Sequence, residues 1–177
     1  SNPETRSIVA NYVADYAEKQ NNVDFLHVWL ADGTNNHCEC EECAKKTVSD
    51  WYVMLMNDID AELTARGLAT RIVFICYVDT SWPPQTEAIK NPKRFSLLVA
   101  PISRDYTFSA REDVSDVTYP PYKHNENELF PDVNQYIKVG KEWQEICGVR
   151  AFLYEYHFYV HQYMDPGSMY ISRRIYE

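Results

Sequence analysis

Arg71-Ile72-Val73-Phe74-Ile75-Cys76-Tyr77-Val78-Asp79 is a near-continuous apolar run that ends in a carboxylate. Ser81-Trp82-Pro83-Pro84 breaks it sharply. A strand without polar alternation is covered on both faces, as in a parallel sheet with helices packed against it. Three further stretches read the same way: Phe25 to Asp32, Phe95 to Ser103 and Val149 to Phe158. Helical patterns separate them. Glu4 to Gln20 carries Ile8, Val9, Tyr12, Val13 and Tyr16 as an apolar stripe. Thr47 to Arg66 places Val48, Trp51, Tyr52, Leu55, Ile59 and Leu63 on one face, with Gly67 where a C′ glycine belongs. A short helix is expected over Gln85 to Lys90. Another spans Pro131 to Ile146, with Pro131 near its first position and Val133, Tyr136, Ile137, Trp143 and Ile146 inward. A last one is expected from Gly167 to Tyr176.

Strands alternating with helices imply parallel pairing through right-handed crossovers. A doubly wound sheet would want a Gly-rich first turn, which the chain lacks. The expected fold is therefore α/β, a partial (half) TIM-type (β/α) barrel with a mostly parallel sheet. A full barrel takes about 250 residues, so the 177 residues read as a single domain (1–177), a fragment of a larger barrel in a longer multidomain protein. Half a barrel has two open sheet edges, and self-association through them is expected.

The net charge of −9 argues against nucleic acid or an anionic membrane surface as partner. No apolar run reaches the roughly 18 residues of a membrane span. The opening Ser1-Asn2 resembles a tag remnant, so the lack of a signal peptide says nothing about export. Aromatics stand out, with 14 Tyr against 5 Gly. Tyr joins a flat apolar face to a polar tip, which suits ring-shaped, hydroxylated ligands such as sugars; a Tyr-heavy core is the plainer explanation.

The expected strand ends carry the candidate chemistry. In parallel barrels catalytic groups sit at the C-terminal ends of strands. Asp32, Asp79 and Glu155 fall there and are candidate catalytic carboxylates, with Asp32 and Glu155 as the first-choice pair. Asp32 could instead cap a turn, and Glu155 could be an inward charge paired with Arg104 or Arg150. Trp82, Arg104, Tyr106, Tyr122, Tyr156 and His157 are the expected substrate-binding residues, with Tyr119 a further aromatic. The connection from Ser103 to Pro131 exceeds ordinary loop length, which usually signals function.

His37, Cys38, Cys40 and Cys43 crowd behind Asp32-Gly33 and have the donor set of a tetrahedral zinc site. A disulfide within the cluster and free thiols stay open as alternatives. Cys76, in mid-strand, reads as a core residue.

The strand ending in Asp32-Gly33 and followed by Cys38-x-Cys40-x-x-Cys43 resembles the uncharacterised family numbered 4838 among the domains of unknown function. So do Tyr77 with Pro83-Pro84 after a strand, and Tyr154-x-Tyr156 near the end of the fourth strand. The resemblance covers most of the chain. It implies a (β/α)-barrel domain similar to glycoside hydrolases, which follows an α-glucuronidase-type domain in secreted polysaccharide-processing proteins. The implied partner is a glycan or polysaccharide and the implied location periplasmic or extracellular. The adjacent Asp-Glu pair that many hexosaminidase-like barrels carry after a strand is missing here. A noncatalytic glycan-binding module and a zinc-stabilised scaffold remain alternatives to a hydrolase.

Overall fold

The computed structural model describes residues 1–20 and 22–156. The expected last helix and His157 lie outside them. The described chain is α/β. It runs α1 (Pro3–Lys19), β1 (Phe25–His27), α2 (Glu41–Ala44), α3 (Val48–Ala65), β2 (Arg71–Cys76), β3 (Phe95–Val99), α4 (Val133–Cys147) and β4 (Arg150–Leu153). The four strands form one sheet in chain order, and all three pairings are parallel. Parallel pairing places the C-terminal ends of all four strands along one edge, so the loops bearing Asp32, Asp79, Arg104 and Glu155 leave from the same side.

Local chemistry sets the helix limits. Asn2 caps α1 by accepting from the backbone N–H of Glu4 at 2.8 Å, with Pro3 starting the helix. Thr47 and Asp50 form a reciprocal capping box on α3, and Asp132 and Gln135 do the same for α4. Pro131 thus stands just ahead of the cap rather than inside the helix. Gly67 and Gly148 follow α3 and α4 at φ 68° and 66°, the left-handed conformation in which a side chain would be strained.

The core lies between β2, β3 and the helices. Phe74 of β2 meets Tyr52 of α3 at 6.0 Å and Trp143 of α4 at 5.7 Å between ring centroids. One strand residue thus touches both helices, so α3 and α4 cover the same face of the sheet. Ile72 to Cys76 are all buried, Cys76 completely, as expected of a continuous apolar strand.

Several expectations need correction, among them Ile146 of α4, expected inward but 44% exposed. On α1, Ala10, Val13, Ala14 and Ala17 face inward, while Ile8, Tyr12 and Tyr16 are exposed. Close approach of α1 to α3 selects the small side chains rather than the large ones. Gln85 to Lys90 is not a helix. The Asp50 carboxylate accepts from the backbone N–H groups of Gln85, Thr86 and Glu87 at 2.8–3.0 Å, which holds that segment as a turn.

A further correction is β1, which stops at His27 instead of reaching Asp32. Val28 still donates to the Val73 carbonyl at 3.0 Å. In a parallel ladder the next bond would run from the Ile75 N–H to the Val28 carbonyl. The buried Tyr52 hydroxyl occupies that rung instead. It accepts from the Ile75 N–H at 3.2 Å and donates to the Val28 carbonyl. A side chain from α3 therefore splits the two strands where they would otherwise continue, and burial raises the pKa of that hydroxyl far above the ordinary tyrosine value.

Candidate functional site

Beyond this wedge the chain opens a cavity of about 220 Å³ over the ends of β1 and β2. Trp29, Leu30, Asp32, Ile75, Tyr77 and Tyr156 are among its walls. Trp29 is 49% exposed, so its ring is available at the rim. The cavity combines an indole and two phenols with an exposed carboxylate. Asp32 accepts from the Tyr77 hydroxyl at 2.9 Å, which fixes its orientation and leaves the second oxygen without a protein partner among the described residues.

Tyr77 and Asp79 diverge from one tight turn. Thr80 Oγ1 accepts from the Tyr77 N–H at 3.0 Å and donates to the Ile75 carbonyl. Between them Val78 has φ 43°, a strained conformation for a β-branched residue. The turn sends Tyr77 to Asp32 and Asp79 into the interior.

Asp79 is 1% exposed and fully engaged. One oxygen accepts from Thr34 Oγ1 at 3.1 Å and Asn127 Nδ2 at 2.9 Å; the other accepts from the Asn35 N–H at 2.7 Å and meets His37 Nε2 at 3.0 Å. The Asn35 side chain also donates to the Asn127 carbonyl and accepts from the Asn127 N–H. Asn125 receives the His37 N–H and donates to the His37 carbonyl. Asn35 and Asn125 both have positive φ, which asparagine tolerates. Asp79 is thus a buried anchor that joins the loop after β1 to the long loop after β3.

The candidate pair of Asp32 and Glu155 does not share the cavity, since Glu155 is not among its walls. Glu155 is bound by Arg104 and by the Tyr106 hydroxyl, and the Arg104 guanidinium also stacks 4.6 Å from the Tyr106 ring centroid. Arg104 and Tyr106 are 4% exposed and hold structure rather than line an open cleft. This is the plainer, ion-paired reading of Glu155.

Trp82 is likewise no sugar platform. It is 3% exposed, donates from Nε1 to the Pro120 carbonyl at 2.7 Å and packs on Phe130 at 4.8 Å. Tyr122 is half-buried against Trp82, and its hydroxyl meets His124 Nδ1 at 3.2 Å. Tyr119, also half-buried, bonds Glu142. Tyr106, Tyr119 and Tyr122 of the long loop after β3 are thus engaged with other parts of the protein, while Phe108 is 41% exposed. Of the expected binding residues, Tyr156 does line the cavity. Trp29, Leu30, Ile75 and Tyr77 are among the cavity residues outside the expected binding set, although Trp29 and Leu30 lie close to Asp32 in sequence.

Cys38, Cys40 and Cys43 bring their three sulfurs within 4.8 Å of one another and could hold a metal ion. His37 is not part of that group; its Nε2 is committed to Asp79. The Ser1 hydroxyl beside Cys43, and neighbouring thiols, bring its thiol down to about 7. No described helix is long and apolar enough to cross a membrane.

A family model described as Domain of unknown function (DUF4838) matches residues 1–175. No curated protein and no solved structure matches the chain significantly.

Proposed function

The chain belongs to the DUF4838 family, and we propose that it is the carbohydrate-binding part of a (β/α) barrel in an exported protein. The observation that carries the reading is the cavity at the ends of β1 and β2, where Trp29, Tyr77 and Tyr156 surround an oriented, exposed Asp32. Aromatic faces take the apolar side of a sugar ring, and a carboxylate with a free oxygen takes its hydroxyls. Sheet order that follows the chain, with α3 and α4 on one face, supports the partial-barrel reading.

Binding is favoured over hydrolysis. Hydrolysis needs two carboxyl groups flanking one bond. Asp79, which also lines the cavity, has its acceptor positions filled, and Glu155 is tied to Arg104 and Tyr106, which leaves Asp32 as the cavity carboxylate with an uncommitted oxygen among the described residues.

The thiols supply a second element. Cys38, Cys40 and Cys43 bind zinc, a soft-ligand cation suited to thiolates. The metal pins the loop that begins at Asp32-Gly33. Calorimetry with a panel of neutral and acidic oligosaccharides tests the binding reading. At least one sugar class should bind, and Trp29→Ala and Asp32→Asn should each weaken it about tenfold or more. Elemental analysis of protein prepared without chelator should give close to one zinc per chain.

A further inference from the structure

A second cavity, of about 290 Å³, adjoins the thiols. Cys38 and Cys43 form one wall, His37 and His124 another, and Trp51 and Leu55 of α3 the apolar side. We infer that the metal at Cys38, Cys40 and Cys43 is held by these three thiolates alone, and that its fourth coordination position opens into this cavity to take an exogenous neutral nitrogen heterocycle of the imidazole type. The inference rests on the reading that the thiols bind a metal, and is independent of the sugar site.

The two imidazoles nearest the thiols are the obvious candidates for a fourth protein ligand, and neither places a ring nitrogen in the group formed by the three sulfurs. His37 Nε2 is 3.0 Å from the Asp79 carboxylate. That carboxylate is itself fixed by Thr34, Asn35 and Asn127, so the imidazole cannot swing away without breaking a buried network. His124 has both ring nitrogens engaged, Nδ1 with the Tyr122 hydroxyl and Nε2 with the Cys38 carbonyl, each at 3.2 Å. Ser1 Oγ lies 3.1 Å from Cys43 Sγ, but a hydroxyl is a hard donor and a poor match for a thiolate-bound cation. Three protein ligands with the fourth position open is the pattern of zinc sites that bind or activate a ligand, whereas structural sites are closed by four.

Charge and lining select the ligand. A divalent ion with three thiolates carries one net negative charge, and the Arg6 guanidinium that also lines the cavity is already paired with Asp58 at 2.7 Å, so a neutral donor is preferred to a carboxylate or phosphate. Trp51 and Leu55 offer an apolar wall that a flat heterocycle can cover.

Cobalt(II) replacement tests this directly, because its visible d–d bands report the donor set. Reduced protein titrated with cobalt(II) should take up one equivalent with a tetrahedral spectrum. Cys40→Ser should weaken uptake by more than the roughly 10–100-fold that follows loss of a supporting hydrogen bond at a metal site. Added imidazole should then shift the bands saturably. His37→Gln, which keeps a donor for Asp79, His124→Ala and Ser1→Ala should each show the wild-type spectrum before imidazole and the same shift after it. A spectrum indifferent to imidazole would overturn the inference, as would a variant whose bands already differ before imidazole is added. Failure to bind cobalt would overturn the metal reading as well, while leaving oligosaccharide binding to be judged by calorimetry.

Discussion

The segments that follow β1 and β2 each carry an aspartate beside the same cavity, and the two have opposite fates. Asp79 is buried among Thr34, Asn35, His37 and Asn127. Asp32 is exposed and has Tyr77 as its hydrogen-bond partner. Position at a strand end therefore does not decide which carboxylate meets a ligand; the number of protein donors already committed to it does. Glu155, two residues beyond β4, sides with Asp79, since Arg104 and Tyr106 hold it.

The largest effect is expected where a buried ion pair is broken. Glu155→Ala leaves the Arg104 guanidinium, 4% exposed, without its carboxylate. It should cost about 3–5 kcal/mol in urea denaturation. A loss under 1 kcal/mol would mean that the Arg104 pair is not structural.

Asp79→Asn comes next. An amide offers one acceptor oxygen where the carboxylate offered two, so either the Asn35 N–H or the Asn127 side-chain N–H is left facing a donor. Stability should fall by about 2–4 kcal/mol. Should Asp79→Asn and Asp32→Asn prove equally mild, the contrast between the two strand ends would collapse.

The Asp50 site gives a pH signature. Burial pushes its carboxyl up, but hydrogen bonds from the Thr86 N–H, the Thr47 hydroxyl and N–H, and the Glu87 N–H outweigh that, and its pKa ends below the ordinary value. A depressed carboxyl stabilises the fold fully above its unfolded pKa of about 3.9, and that contribution is lost as pH falls through the folded value. The urea midpoint should thus drop on acidification below about pH 4, and Asp50→Asn should flatten the drop. A midpoint equally acid-sensitive in the variant would assign the loss to other carboxylates.

Tyr52→Phe probes the wedge between β1 and β2. It removes two buried hydrogen bonds but lets the Ile75 N–H and Val28 carbonyl pair directly. The net cost should be only about 1 kcal/mol, while sugar affinity falls because the cavity narrows. Unchanged affinity would separate the wedge from the site.

Much of the frame was legible from the residues. The apolar run over Arg71 to Cys76, the periodicity of α3 and the Thr47 start each express local patterning, and so does the parallel order that alternating elements imply. What escaped is tertiary. No pattern in Phe25 to Asp32 tells that a tyrosine hydroxyl from α3 will interrupt the ladder. Trp82 reads as a rim aromatic because it follows a strand, yet its N–H goes to the Pro120 carbonyl from a loop far along the chain. The stripe of Ile8, Val9, Tyr12, Val13 and Tyr16 marks a helix, but of its members Val13 is buried while Ile8, Tyr12 and Tyr16 are exposed, because close α1–α3 packing uses alanines. The thiol cluster was visible from spacing, but the capture of His37 by Asp79 depends on a contact across 42 positions.

The most direct test is calorimetric titration of an oligosaccharide panel into the wild type and into Asp32→Asn. The variant should keep its unfolding midpoint within about 0.5 kcal/mol of the wild type and lose sugar affinity about tenfold or more. Wild-type protein that binds no member of the panel, or a variant that binds as tightly as the wild type, would contradict a carbohydrate site built on Asp32.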